Sequence, residues 1–346
     1  PFRFFEHSDD GNYKFMSSVT FADVQAAKKR ISSYINKTPV LESQLLNDWL
    51  GHKVMFKAEC FQRTGAFKLR GALNMMLKAK EEGRLGTQVV ASSSGNHAQA
   101  VAYAAKILDV KATIFSAQNV SKVKAAATQY YGATLDLSAT RKEADEKVAE
   151  AAKQQGVLWM PPFNHDDIIA GQGTATLEAL EQTGEVNSVF APVGGGGLVS
   201  GAQVSTRAIY PKASVIGVEP LIANDAAESI RTGVIQSLSE QPNTLADGAA
   251  TLQVGEKTFP HLQTLDGFYE VDETKIAYWT QWLQHLLKVH VEPTCAMSMG
   301  AVVEWLKSQS VEQKVLVILS GGNIDQQKML KIWQDDHLQK VPSLLI

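Results

Sequence analysis

The spacing of apolar and polar positions changes repeatedly along this chain, and the changes mark out its elements. In "VTFADVQAAKKRISSYI" the apolar side chains recur at helical spacing, with Val24, Ala27, Ile31 and Tyr34 on one face. Thr20 and Asp23 form a capping box that starts this helix. "KVMFKAE" (Lys53 to Glu59) is short and rich in strand formers. "TQVVASSSGNHAQAVAYAAKILDVKATIFS" reads strand, polar glycine loop, alanine-rich helix, strand. "NSVFAPVGGGGLVSGAQVSTRAIYPKASVIGVEP" repeats that order, and "KVLVILSGGNID" is a buried strand entering another glycine turn. Trp279, Trp282, Leu283 and Leu286 share helical spacing and read as core. Such alternation predicts an α/β protein with largely parallel sheets covered by helices. Ligands then collect in loops outside the carboxyl ends of the strands.

Two stretches suggest domain boundaries: "KAKEEGRLGTQ" (Lys78 to Gln88), charged and glycine-punctuated, and "WMPPFNHDD" (Trp159 to Asp167), with two prolines. The expected division is a large domain of residues 16–87 and 163–346, with a small substrate-loop domain, 88–162, inserted into it. His165 and Asp166 near the second boundary read as helix caps. Residues 1–15, "PFRFFEHSDDGNYKF", lack an apolar signal core and precede Met16; they read as a leader or remnant outside the fold.

Composition removes several classes of function. The 346 residues are 45% hydrophobic and carry a net charge of -3, so no basic surplus exists to neutralise a nucleic-acid backbone. No apolar run approaches the roughly 20 residues that cross a bilayer. Cys60 and Cys295 form no CxxC pair and no disulfide framework, which suits a reducing cytosol, and Cys295 reads as a small packing residue.

Chemistry concentrates in the loops. Gly194, Gly195, Gly196 and Gly197 follow a strand and precede a helix beginning near Leu198. Their backbone N–H groups can form an anion nest, and the helix N-terminus adds about half a positive charge, so a phosphate monoester is the natural guest. In "SSSGNHAQA", Ser93, Ser94 and Asn96 offer donors to a small anion; a serine N-cap with polar turn residues fits that loop equally well. "SGGN" (Ser320 to Asn323) is common turn chemistry. Lys68 is the awkward residue: it stands in "FQRTGAFKLRGALNMML", among positions destined for a core. It must snorkel to water, pair with an anion, or do chemistry that needs a desolvated amine.

Together these pieces resemble the fold-type II pyridoxal-phosphate enzymes, the tryptophan synthase β-like fold, and in particular their serine/threonine dehydratase and serine racemase branch. The resemblance spans about residues 18–330 and runs in order through "NKTPVLES", "FQRTGAFKLRGALN", "SSSGNHAQA", "AGQGTATLE", "PVGGGGLVSG", "GVEP", "TLADG", "VEPT" and "LSGGN". It implies that Lys68 holds the cofactor as a Schiff base, with Phe67 beside it and the tetraglycine loop and Leu198 around its phosphate. It implies that Asn96 bonds the ring hydroxyl, and that Ser320 faces the pyridine nitrogen as a neutral partner rather than a counter-ion. Ser93, Ser94, Gly95 and His97 would receive the substrate, with Ser94 as a base on the face opposite Lys68. Glu219 aligns with a divalent-cation site, completed by Asp225 and the carbonyl of Ala223; two carboxylates and a carbonyl suit Mg²⁺ or Ca²⁺. A polar helix entry is the plainer reading of the same residues.

The implied protein is a cytoplasmic homodimer that dehydrates and deaminates a β-hydroxy amino acid, L-threonine or L-serine by default. Serine racemisation and dehydration of threo-3-hydroxyaspartate use the same residues. No nucleic-acid or membrane partner is expected. Two rivals compete. Glu219, 22 positions after Gly197, imitates the acidic ribose ligand of an NAD-dependent oxidoreductase. "GGGGLVSG" gives no clean GxGxxG, however, and Lys68 stays unexplained. A catalytically silent binding protein is disfavoured because Lys68, Ser94 and Ser320 are all present.

Overall fold

The computed structural model describes residues 19–93, 95–118, 120 and 122–344. The expected leader, residues 1–15, and the expected base Ser94 lie outside the described residues.

Among the described residues the chain builds two sheets. Its strands are β1 (Val40–Glu42), β2 (Lys53–Ala58), β3 (Gln88–Ser92), β4 (Lys111–Ala117), β5 (Thr134–Ser138), β6 (Val157–Trp159), β7 (Ser188–Pro192), β8 (Ser214–Pro220), β9 (Gly267–Val271) and β10 (Lys314–Leu319). One sheet has the order β1-β2-β10-β7-β8-β9, the other β5-β4-β3-β6. Apart from β1, which runs antiparallel to β2, every pairing is parallel. The central strands are apolar on both faces, as a helix-covered sheet requires: from Val315 to Leu319, β10 is buried throughout.

Strand order decides what can meet. β10 lies between β2 and β7 and parallel to both, Val315 pairing with Val54 on one side and Ser188 on the other. Segments from opposite ends of the sequence therefore finish side by side at one sheet edge. In the smaller sheet the connections run from β3 outward through β4 to β5, while β6 returns on the other side of β3. The loop after β3 thus sits at the point where strand order reverses, where open α/β sheets bind ligands.

Helix packing fixes the loops. The helices Lys68–Glu81, Asp166–Thr183 and Gly197–Ile209 cross closely because glycines face one another. A Cβ on Gly201 would stand 2.4 Å from the Gly173 nitrogen, and one on Gly171 would stand 2.6 Å from the Gly71 Cα. The "AGQGTATLE" motif is thereby explained as a packing motif. Trp279, Trp282 and Leu283 are core, with Leu286 packed against them, as their spacing predicted. His165 caps the helix Asp166–Thr183, its Nδ1 accepting from the Asp167 N–H at 3.1 Å. The first helix departs from expectation. It keeps its capping box but ends at Ile31, three residues before Tyr34. Ser32 turns its hydroxyl back onto the Lys29 carbonyl at 3.0 Å, and short hydroxyl side chains compete with the helix in this way. Tyr34 still packs at the edge of the core. Cys60 and Cys295 are free thiols, and Cys295 is buried among apolar neighbours. Among the described residues, no helix is long and apolar enough to cross a membrane.

Candidate active site

The loops after β2, β3, β7 and β10 converge on one cavity of about 1330 Å³, which Phe67, Lys68, Ser93, Gly95, Asn96, His97, Gly195 and Ser320 help to line. Lys68 opens the helix Lys68–Glu81, so its side chain leaves the first turn toward the cavity. The backbone beneath it is stapled to the β10 loop: the Phe67 N–H donates to the Ser320 carbonyl and the Gly322 N–H to the Gly65 carbonyl, both at 2.9 Å. Lys68 and Ser320 are therefore held by one rigid junction.

Below Lys68 lies a buried ionic cluster. Arg70 Nε and Nη2 each donate to Glu59 at 2.8 Å, and Nη2 donates to Glu178 at 3.0 Å. Lys57 Nζ donates to Glu178 at 2.6 Å and to the Thr38 carbonyl at 2.7 Å. Two cations against two carboxylates leave the cluster neutral, which is the condition for burying it. It pins the turn that carries Lys68.

Among the described residues, no carboxylate pairs with the Lys68 ammonium. Its Nζ donates to the Pro162 carbonyl at 2.6 Å and sits 5.2 Å from the Phe67 ring centroid. Burial lowers its pKa to about 8, so a useful fraction of the amine is unprotonated near neutral pH. His97 is buried, and its Nε2 meets the Met160 carbonyl at 2.8 Å. Burial, with Lys68 nearby, drives its pKa down to about 3. A neutral ring whose Nε2–H donates to a carbonyl keeps Nδ1 as an acceptor. That Nδ1 is buried and has no hydrogen-bond partner among the described residues.

Asn96 begins the helix that follows β3. Its Oδ1 accepts from Asn323 Nδ2 at 2.9 Å, and its Nδ2 donates to Glu292 Oε1 at 2.8 Å. Gly95 donates its N–H to Ser93 Oγ at 3.2 Å, and space is open around its Cα. In the tetraglycine loop, Gly196 has φ +89° and caps the helix Gly197–Ile209. Phe163 crowds the loop, since a Cβ on Gly195 would lie 2.2 Å from its ring. The first turn of that helix, including Gly197 and Leu198, carries N–H groups with no intrahelical partner, the chemistry of an anion site.

Glu219, Ala223 and Asp225 lie away from this cavity, at the end of β8 and the start of the helix Asp225–Thr232. Glu219 accepts from the Ala227 and Ala226 N–H groups at 2.7 and 3.2 Å and so caps that helix. Asp225 is buried, neither carboxylate oxygen is hydrogen-bonded among the described residues, and burial pushes its pKa up to about 7. Several residues of the main cavity escaped the sequence reading, Glu292, Lys124 and Asp247 among them. Glu292 and Lys124 are buried in its wall, and Asp247 pairs with Lys124 at 3.1 Å. Glu292 stands within "VEPT", a segment that carried the resemblance but no assigned chemistry. Asp247 likewise stands within "TLADG", while Lys124 gives no local signal and meets Asp247 across 123 residues.

Fold and site define a class: an α/β enzyme of fold type II, with two sheets flanking a cavity that holds a half-buried, deprotonation-prone lysine. The chain belongs to the pyridoxal-phosphate-dependent enzyme family, whose model matches residues 31–321. It is 43% identical over 312 residues to the L-threo-3-hydroxyaspartate ammonia-lyase of Saccharomyces cerevisiae, an alignment covering 89% of this chain and 94% of that protein. It is 38% identical over 321 residues to the serine racemase of Dictyostelium discoideum, covering 92% and 98%. Among solved structures, a serine racemase from maize superposes with a TM-score of 0.85 at 34% identity, covering 93% of this chain and 98% of that one. A solved threonine deaminase superposes with a TM-score of 0.83 at 40% identity, covering 88% and 99%.

Proposed function

We propose that this protein is an ammonia-lyase that converts a β-hydroxy amino acid to a 2-oxo acid and ammonia. The observation that carries the reading is the Lys68 amine: lowered to about 8 by burial, paired with no carboxylate among the described residues, and facing the cavity where four loops meet. The cavity fits pyridoxal phosphate, because it pairs that amine with a helix N-terminus suited to a phosphate. Bound there, the cofactor supplies an electron sink conjugated to the substrate nitrogen.

Lys68 carries the cofactor and moves the proton at the substrate Cα. Gly194, Gly195, Gly196, Gly197 and the Leu198 N–H receive the phosphate, and Phe67 lies beside the ring. Asn96 bonds the ring oxygen, using the Nδ2 hydrogen that Glu292 leaves free. Ser320 meets the ring nitrogen as a neutral partner, which favours loss of the β-hydroxyl over transamination. Ser93, Gly95 and His97 bind the substrate carboxylate, the neutral His97 adding no competing charge. Ser94, as the base on the other face, would make racemisation available. Glu219, the Ala223 carbonyl and Asp225 hold a divalent cation, Mg²⁺ or Ca²⁺, supported by the unpartnered buried oxygens of Asp225. We also read the enzyme as a homodimer of the cytoplasm.

L-Threonine and L-serine are the default substrates. A second reading, L-threo-3-hydroxyaspartate, is favoured by the 43% identity to a lyase of that name and by Lys122, Arg141 and Lys331 at the cavity wall, cations suited to a second carboxylate. Release of 2-oxo acid and ammonia from these three amino acids, and from their D isomers, tests the proposal. Turnover of at least one L isomer is expected; a cofactor-loaded protein inert toward all of them would overturn it.

A further inference from the structure

Glu292 is the buried acid that the reading above leaves without a task. It is 1% exposed and lines the cavity. It stands at the N-cap of the short helix Pro293–Ala296, yet its side chain makes no cap bond. Room is kept for it: a Cβ on Gly321 would fall 1.9 Å from Glu292 Oε1, so the first glycine of "SGGN" exists to admit this carboxyl. One oxygen accepts from Asn96; the other, Oε2, is buried, has no hydrogen bond among the described residues, and lies 4.0 Å from Lys124 Nζ.

The amides around it fix one another. Asn323 Nδ2 spends its two hydrogens on the Thr64 carbonyl at 2.8 Å and on Asn96 Oδ1 at 2.9 Å. Asn96 must therefore show oxygen to Asn323 and nitrogen to Glu292. With one Nδ2 hydrogen on Glu292, the other has a set direction. Asn96 and Lys124 both belong to the segment that forms the smaller sheet and its helices, whereas Glu292 and Asn323 flank β10 of the larger one. Glu292 thus meets two segments of the smaller half at the cavity, the loop after β3 through Asn96 and the helix Lys122–Tyr130 through Lys124.

We propose that Glu292 is a positioning residue for the reaction, directing the Asn96 amide at the cofactor's ring oxygen and tying that setting to the seating of Lys124. The inference rests on the function proposed above. Its charge matters as well as its oxygen. Burial pushes its pKa up to about 7 against the pull of Lys124, with Asp247 adding to the rise. The other groups facing it change nothing in that range. Burial raises both the Cys60 and the Cys295 thiols, so they stay neutral. Burial works against the Lys124 ammonium, but Asp247 and Glu292 outweigh it and keep it charged. Burial likewise works against the Asp247 carboxylate, but Lys124 and Lys328 outweigh it and keep it charged.

The test uses the holoenzyme and reads cofactor affinity and the visible absorption band, near ~410–420 nm for a cofactor conjugated to a lysine. Donation from Asn96 favours the ionised ring oxygen, and so the long-wavelength form. Glu292→Ala should weaken cofactor affinity at least fivefold and shift absorbance to shorter wavelength. Glu292→Gln, which keeps an acceptor for Asn96, should restore affinity to within twofold but lose the wild-type band's pH step around pH 7. In an Asn96→Ala background, Glu292→Ala should add less than a twofold change. If Glu292→Ala does not fold, the pH step decides: a Glu292→Gln band that still titrates near neutrality overturns the proposal. So does a folded Glu292→Ala with wild-type band and affinity, or a full additional effect in the Asn96→Ala background. A wild type that takes up no cofactor would instead sink the function on which this inference rests.

Discussion

Replacing Arg70 with methionine tests whether the ionic cluster under Lys68 is what holds the active-site lysine in place. The cluster sums to zero because Lys57 and Arg70 face Glu59 and Glu178, and Arg70, Glu59 and Lys57 are fully buried. Arg70→Met leaves Glu59 with one strong donor, the Thr38 hydroxyl at 2.6 Å, in place of three. Glu178 keeps Lys57 at 2.6 Å. One carboxylate is then buried without a counter-charge, and breaking such a pair costs about 3–5 kcal/mol. Removing the stranded acid as well, in Arg70→Met/Glu59→Leu, should recover at least about half of that loss, because similar-sized apolar replacements of buried pairs are often neutral. Urea denaturation of the wild type, the singles Arg70→Met and Glu59→Leu, and the double variant completes the cycle. The cofactor-loaded Arg70→Met enzyme should also lose kcat more than it gains KM, since misplacing a reacting group lowers turnover itself. A single-variant cost below about 1 kcal/mol, or a double variant as unstable as Arg70→Met, would refute this assignment of the cluster.

Two further predictions concern protonation. Lys68 has a folded pKa of about 8 against 10.5 for an ordinary lysine, so the unfolded chain binds more protons between those values. Stability of the cofactor-free protein should therefore rise as pH climbs through that interval, and Lys68→Met should lack this contribution; equal pH slopes would contradict it. His97, lowered to about 3, should show a neutral Nε2–H tautomer in nitrogen NMR, with shifts flat between roughly pH 5 and 8. A midpoint inside that range would put the ring in a different environment.

Much of this was legible in the sequence where information is local. Period changes located β2, β3, β4, β7, β8 and β10, and the tetraglycine run announced a strand-to-helix turn. The cavity follows from strand order, which no period encodes: only the placement of β10 between β2 and β7 brings Ser320 beside Lys68. Family resemblance supplied that neighbourhood in advance. Illegible were the charges that meet across long separations, Arg70 with Glu178 and Lys124 with Asp247, because ion pairing leaves no pattern along a chain. The glycines of "AGQGTATLE" and the first of "SGGN" were read as motif letters. Their cause is steric, a close helix crossing and a niche for Glu292. Tyr34 was misplaced on a helix because apolar spacing outran the helix that Ser32 ends.

The central claim is that Lys68 carries pyridoxal phosphate in this cavity. Reducing the holoenzyme with borohydride and sequencing its peptides by mass spectrometry tests it most directly. The cofactor should be found, near one equivalent per chain, on the peptide that contains Lys68, and Lys68→Ala should bind it only non-covalently. Label on Lys124, on Lys57 or on a surface lysine, with Lys68 unmodified, would contradict the account.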